Sequence, residues 1–472
     1  MTAVTRRRSV VVFLADDLGW GDLGCFGSTA IRTPVLDALA EGGMRFTDCH
    51  AVSAVCTPSR YGLLTGEYPW RSPLREGVLG GTDPSILRDG QITVASMFRD
   101  AGYRTGAFGK WHLGLGWTRL DGTTRAAFDG AFHPDMQASG RDVDYSAPFA
   151  DGPISHGFDR FFGIAGSLDM PPYCYLDQDR TVGIPDREKD PLVTSQRPGL
   201  QVEGWQDDRV DVDIIDTACD WIREQAALDQ PFFAYVASAA PHRPCVPPEF
   251  VQGLSEAGAR GDAVCLVDWM VGRIQDVLRE AGIAQDTLIV FTSDNGAPMI
   301  FPEDGDVTEH HPNGAWRGQK ADAWEGGHRV PLIVAGPGIV SGTVDEPVSL
   351  LDVLPTLAML TGISASNSAG DGVVLAGFTP SRARIIGQQA FDGALTLRAG
   401  DEKVILSTGS GGFSDPVGHP VAVTAEVAQF YDLGDDPGER ENLWHERRAR
   451  VAEMLARFSA QTGYRHEVVD DG

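Results

Sequence analysis

A chain of 472 residues, 42% hydrophobic and 22% charged, has the composition of a folded globular protein, long enough for two or three domains or one large α/β domain with an appendage. Its 66 acidic against 39 basic side chains give a net charge of −27, which repels nucleic acid, and no apolar run approaches the roughly 18 residues needed to span a bilayer. Seven cysteines, at 25, 49, 56, 174, 219, 245 and 265, contain no CxxC pair and are odd in number, so neither a disulfide framework nor a zinc knuckle is expected.

Arg6, Arg7 and Arg8 precede a short apolar run, residues 10–15, that imitates a signal peptide but lacks a small-residue cleavage site. The run is expected to be the first buried strand of a cytoplasmic protein. Thr33 and Pro34 follow as N-cap and first residue of a helix through VLDALAEGG, closed by Gly42 or Gly43. Pro58 can start a second helix, with Cys56 and Thr57 at its amino end. Further strands are predicted at 104–112, 231–242, 287–296 and 330–338, with a helical stripe at Val264, Val267, Val271, Ile274 and Val277 between two of them. This alternation predicts a large, mostly parallel sheet with helices on both faces. Residues 115 to 230 are rich in Gly, Pro and Asp and are expected to form long loops and insertions around a site. ALTLRAGDEKVILS and AVTAEVAQFYDL then read as antiparallel strands, and RRARVAEMLARFSAQTG as a terminal amphipathic helix. SASNSAGDG at 364–372 is the expected joint between a catalytic domain, 1–372, and a small C-terminal α+β subdomain, 373–472.

Asp16 and Asp17 directly follow one apolar strand, and Asp294 and Asn295 follow another. Either pair alone is as readily an ordinary turn or cap, but three carboxylates and an amide together suit a hard cation, Ca²⁺ or Mg²⁺. Lys110, His112 and His242 also fall at strand ends, the edge where open α/β sheets bind ligands. Lys110 and His112 share a face if their strand persists that far. A lone histidine is more often a surface or satisfied imidazole; the shared edge outweighs that expectation. In VCTPSRYGLLTG, 55–66, the free N–H groups of a helix start and the Arg60 fork suit an oxyanion. Cys56 is there either a thiolate nucleophile or an inert buried cysteine, and its spacing to Arg60 is not the C-x5-R of cysteine-dependent phosphatases.

CTPSRYGLLTG is similar to the type I sulfatase signature, whose fixed positions fall on Cys56, Pro58, Ser59, Arg60, Leu64, Thr65 and Gly66. ADDLGWGDLGCFG, GYRTGAFGKWHLG, HGFDRFFG, APHRP, TSDNG and RGQKADAWEGGHRVP extend the resemblance along nearly the whole chain. The resemblance implies an alkaline-phosphatase-like α/β core that hydrolyses a sulfate monoester, aryl or carbohydrate. It implies a formylglycine made from Cys56 by a formylglycine-generating enzyme acting transiently, its hydrated aldehyde supplying the nucleophilic oxygen. It further implies a calcium, or magnesium, held by Asp16, Asp17, Asp294 and Asn295. Arg60, Lys110, His112, His242 and Lys320 would then surround the sulfate, with Ser167, after GIAG, as a substrate contact. In that scheme His242 and Lys320 serve the departing alcohol, His112 takes a proton to expel sulfate, and Lys110 holds the oxyanion. The alternatives are a phosphonate or phosphate ester hydrolase of the same superfamily, and a silent binding protein whose cysteine stays a thiol. SLDMPPYCYLDQD, 167–179, resembles a loop of carbohydrate-active sulfatases and points to a sugar. Trp117, Trp205, Trp316 and Trp324 lie near motif segments as core packing or as ring platforms.

Overall fold

Apolar runs without polar alternation must be covered on both faces, and Ser9–Ala15 (β1), buried at all seven positions, lies inside the large sheet. The computed structural model describes residues 7–124, 128, 140–299, 309–364, 370–375 and 384–465; Arg6 and most of the expected joint at 364–372 lie outside them. After β1 come α1 (Pro34–Gly42), β2 (Met44–His50), α2 (Cys56–Thr65), α3 (Val94–Asp100), β3 (Arg104–Lys110) and β4 (Arg160–Ile164). The short strands β5 (Leu176–Asp177), β6 (Arg180–Thr181), β7 (Arg187–Lys189) and β8 (Gly199–Gln201) lead to α4 (Val210–Ala227), β9 (Phe232–Ala237), α5 (Gly258–Glu280) and β10 (Thr287–Ser293). Then follow the single turn α6 (Glu325–His328), β11 (Arg329–Ala335), β12 (Gly342–Val344), β13 (Val348–Ser349) and α7 (Val353–Thr361).

The large sheet runs β12-β2-β11-β10-β1-β9-β3-β4-β5-β6, with β13 also on β2. Its middle, β10-β1-β9-β3-β4, is parallel throughout, so the carboxyl ends of these strands share one edge. β11, predicted at 330–338, is a strand but runs antiparallel to both β10 and β2. The two-residue period of β1 sorts its side chains cleanly. Val10, Val12 and Leu14 enter the core beneath α2, α3 and α7, whereas Val11, Phe13 and Ala15 enter the one beneath α1, α4 and α5.

Three local expectations need correction. Residues 115–230 are not only loops, since they supply β4 and the 18-residue helix α4. Val210, Ile214, Ala218 and Ile222 carry a helical period there, but interspersed aspartates disguise it as loop composition. Thr33 precedes α1 without capping it: its hydroxyl donates to Asp37 (3.0 Å), while Asp268 of α5 accepts from the Leu36 N–H (2.8 Å). AVTAEVAQFYDL is a strand only at its end, Gln429–Asp432.

A separate antiparallel sheet is formed by β14 (Ile386–Gln389), β15 (Leu395–Ala399), β16 (Glu402–Ile405) and β17 (Gln429–Asp432). Helix α8 (Arg448–Thr462) packs Val451, Met454, Leu455 and Phe458 against it. This sheet is fastened to the large one by buried charge. Lys403 of β16 reaches Glu325 of α6 at 3.0 Å and Glu439 at 2.8 Å, and Arg398 of β15 reaches Asp48 of β2 at 3.2 Å. Arg329 joins Asp48 and Glu325, both at 2.9 Å. His50, Glu325 and His328 are close enough to suggest a metal site, but the Lys403 ammonium already sits 3.3 Å from His328 and supplies the positive charge.

Removing one member of a balanced buried set strands its partners, at a cost of about 3–5 kcal/mol. Lys403→Met is therefore expected to lower the urea-unfolding stability by that amount, and adding Glu439→Gln to recover part of it. A change under about 1 kcal/mol would show that the network does not fasten the two sheets.

Candidate active site

At the end of β1 the chain turns through Asp17, whose φ of 63° is left-handed, a conformation that costs a non-glycine residue about 1–3 kcal/mol unless its surroundings enforce it. Two bonds enforce it. The Asp17 N–H donates to Asp294 Oδ1 (3.1 Å), and the Asp17 carbonyl accepts from Arg260 of α5 (2.9 Å). Arg260 is itself fixed by Asp22 through bonds of 2.9 and 2.7 Å. Asp22 lies within the segment ADDLGWGDLGCFG, but its partner Arg260 lies in no motif segment, so the brace itself escapes a reading of the chain.

Around this turn the structure brings together three carboxylates and three cations, all buried. Lys110, at the end of β3, places its ammonium 2.7 and 2.9 Å from the two oxygens of Asp16. Arg60, one turn into α2, donates twice to Asp294 Oδ2 (3.0 and 2.8 Å) and once to Asp16 (3.2 Å). Lys320 Nζ lies 2.7 and 2.8 Å from the Asp17 oxygens. Burial would raise Asp16, but Lys110, His242, Arg60 and Lys320 hold it well below the usual carboxylate range. Burial pushes Asp294 up to about 6 with Asp16 adding to it, against the pull of Arg60.

Cys56 is the first residue of α2, every position of which is buried, and its Sγ is 3.9 Å from Asp17 Oδ1. Burial, reinforced by Asp294 and Asp16, drives its thiol far above the ordinary range despite Lys110 and Lys320. A thiol so placed is a poor nucleophile.

The strand β3 does not persist to His112. It ends at Lys110, and His112 has φ 57°, so the two side chains diverge from a common face. Gly109 permits this exit, because at its φ of 107° a Cβ would lie 1.8 Å from the Ala237 carbonyl oxygen. The His112 Nε2–H donates to the Leu79 carbonyl (2.7 Å), and the Leu79 N–H donates to Thr57 (3.2 Å), tying the ring to α2. Its Nδ1 is buried with no partner among the described residues. Burial, then Lys110, holds the ring well below the usual imidazole range, so it is neutral.

His242 follows β9 in a turn held by Asp211 of α4, whose carboxylate accepts the N–H groups of Ala239 (2.7 Å) and Ala240 (2.9 Å). The His242 Nδ1–H donates to the Arg243 carbonyl (2.7 Å), leaving Nε2 3.5 Å from Asp17. The Ser167 hydroxyl donates to Asp169 at 2.8 Å rather than to any of these groups.

The donor set suits a hard cation. Ligand atoms of Asp16, Asp17, Cys56 and His242 all lie within 4.8 Å of one another. Asn295 donates to Asp17 at 2.7 Å, and its Oδ1 is buried without a hydrogen-bond partner among the described residues, an acceptor that a cation would satisfy. Asp294, the remaining member of the predicted quartet, is bonded to Arg60 and to the Asp17 N–H. The four tryptophans are packed: Trp316 and Trp324 lie 3.8 and 3.6 Å from the guanidinium carbons of Arg329 and Arg317. Trp117 donates to Gly81, and Trp205 rests on Tyr175.

The family profile described as Sulfatase matches residues 8–363. The chain is 32% identical over 475 residues to an N-acetylgalactosamine-6-O-sulfatase of Bacteroides thetaiotaomicron, covering 93% of this chain and 90% of that one. It is 33% identical over 461 residues to human arylsulfatase A, covering 93% and 84%. A Bacteroides thetaiotaomicron sulfatase solved in work on the metabolism of multiple glycosaminoglycans shares the fold with a TM-score of 0.80 at 27% identity, over 98% of this chain and 100% of that one. A phosphonate monoester hydrolase of Agrobacterium radiobacter is a likeness of fold alone, with a TM-score of 0.59 at 19% identity, over 97% and 96%. Homology that runs along nearly the whole chain and through the helix opened by Cys56 makes this protein a member of the sulfatase family, a hydrolase of sulfuric esters.

Proposed function

We propose that this sulfatase acts through a formylglycine made from Cys56 and a calcium ion held by Asp16, Asp17, Asp294 and Asn295, on carbohydrate or aryl sulfate monoesters. The observation that carries this is the position of Cys56, buried at the start of α2 among three carboxylates and three cations, where an unmodified thiol is held protonated. A calcium held by these four residues would supply Lewis-acid polarisation, and a formylglycine at position 56 would supply a hydrated aldehyde oxygen as the nucleophile.

The chain's own residues divide the remaining work. Arg60 and Lys110 stabilise negative charge at the amino end of α2, Lys110 holding the sulfate oxyanion. His112, neutral and with Nδ1 unpartnered, is equipped to take a proton from the residue 56 hydroxyl in the release step. His242 Nε2, from the doubly protonated ring, and Lys320 Nζ both lie beside the Asp17 carboxylate and can donate to the departing alcohol oxygen. Ser167 is assigned to substrate contact. The galactosamine-6-sulfatase relative supports a sugar ester, and the arylsulfatase relative an aryl one. A formylglycine-generating enzyme is the implied transient partner. A reducing, cytoplasmic setting is part of the proposal, on an odd cysteine count without a CxxC pair. Among the described residues no helix is long and apolar enough to cross a membrane. The rival activity, phosphonate or phosphate ester hydrolysis, is tested by relative rates on nitrophenyl sulfate, phosphate diester and phosphonate.

Oxidation of the cysteine to an aldehyde lowers the mass of the peptide carrying residue 56 by about 18 Da, and activity is expected to follow that fraction across preparations. An active sample holding only the thiol would refute the nucleophile. Asp17→Asn or Asp294→Asn should lose bound calcium and turnover together, as should chelation of the unaltered enzyme; full activity after both would remove the metal from the scheme. His112→Ala is expected to complete one ester cleavage and then stall. His242→Ala should instead slow the cleavage itself by about 10²–10⁴-fold for a sugar alcohol and by much less for nitrophenol, which departs without a proton. Pre-steady-state bursts on the two substrates distinguish these outcomes.

A further inference from the structure

Beyond the residues named above, one pair of charged side chains stands beside the site with bonding capacity to spare. The segment that carries it leaves β4 at His112, whose N–H donates to the Ala165 carbonyl (2.9 Å). It returns against Gly81, close enough that a Cβ there would lie 2.2 Å from the Pro171 oxygen, two residues beyond the Leu79 that anchors the His112 ring. Asp169 sits at the middle of this arc. One carboxylate oxygen accepts from Ser167 (2.8 Å), and the other from Arg197 (2.7 Å).

Arg197 belongs to no regular element, yet it is held rigidly. Its N–H donates to the Asp169 carbonyl (2.8 Å), and its own carbonyl accepts from the Tyr173 hydroxyl (2.5 Å). The preceding Gln196 is buried and donates to the Leu168 carbonyl (2.7 Å). These bonds fix its backbone, and the ion pair with Asp169 fixes its guanidinium. Only one guanidinium nitrogen is used among the described residues, and the side chain remains 33% exposed beside an Asp169 that is 13% exposed. Burial would raise the Asp169 carboxyl, but His242, Arg197, Ser167 and Lys110 hold it at about 2, so the acceptor stays ionised.

We propose that Asp169 and Arg197 form the part of the site that recognises the ring of a sugar sulfate, Asp169 accepting from one hydroxyl and Arg197 donating to its neighbour. The pair has no net charge, so it gives no attraction for a second anionic group. Fixed acceptor and donor groups side by side match adjacent hydroxyls, each of which can act in either sense. An aryl ring offers neither and gains nothing from the pair, which stays bonded to itself. The inference rests on the sulfatase reading and goes further by choosing sugar over aryl esters.

The test compares the purified enzyme with Arg197→Ala and Arg197→Lys on N-acetylgalactosamine 6-sulfate, a panel of other monosaccharide sulfates, and 4-nitrophenyl sulfate. The ratio of kcat/KM for the best sugar to that for nitrophenyl sulfate should fall by about 10- to 100-fold in Arg197→Ala, chiefly through KM, with Arg197→Lys restoring only a small part because an ammonium lacks the fixed fork. An equal loss on sugar and aryl substrates would assign Arg197 a merely structural role and overturn the proposal, as would no loss at all. Unaltered enzyme that hydrolyses nitrophenyl sulfate but none of the sugar sulfates also overturns it and leaves the sulfatase reading intact. Absence of activity on every sulfate in a preparation shown by mass to carry the modification would instead overturn the reading beneath it.

Discussion

Everything at the site depends on compensating negative charge at a place with almost no water. Three carboxylates at the carboxyl edge of a parallel sheet would repel one another and lose their hydration on burial, a penalty of several kcal/mol per ion without counter-charge. Arg60, Lys110 and Lys320 provide that counter-charge from three separate stretches of chain, so the same ion pairs that make the edge tolerable also assemble the catalytic groups. Stability and chemistry share one set of contacts here. The proposed dication would add to this balance and draw on an oxygen the side chains leave open, Asn295 Oδ1.

The small sheet is joined to that arrangement through the loop of Lys320. Ala321 donates to Ala54, two residues before Cys56, and accepts from Phe391 beside β14; Ala323 donates to Ser410. The Asp322 carboxylate accepts from Phe413 and Ser414 of the C-terminal part as well as from Gln319. A few residues on, Glu325 enters the charge network with Lys403. The C-terminal layer therefore sets the height of Lys320 over Asp17 rather than merely covering the core.

Much of this was legible in the chain because it is encoded locally. Cys56, the acids at 16, 17 and 294, and Lys110 stand directly at element ends, with Arg60 one turn into the helix that Cys56 opens, and the structure brings them together. His112 shows the limit of such reasoning. Its spacing from Lys110 suggests a shared face, but the left-handed backbone at His112 redirects the ring toward Leu79, and no residue type announces that turn. Arg260, Asp22, Asp211, Asp169 and Arg197 were invisible for a related reason. Each acts on backbone groups or partners brought close only by tertiary folding, Arg260 on a carbonyl 243 positions away. Helix α4 was hidden differently, by aspartates that face outward or cap a distant turn while its apolar stripe faces the core.

The complete burial of α2 carries a consequence for how the working enzyme comes to exist. Cys56 is 2% exposed, enclosed by a sheet edge and a charge cluster whose members are scattered from residue 16 to residue 320. Contacts of such long sequence separation consolidate late. The proposed oxidation of this thiol by an outside enzyme would have to precede that consolidation, on a chain still being made or not yet collapsed. Under that proposal activity would be decided by a race between two rates, and a variant that folds faster would yield more protein and a smaller working share of it.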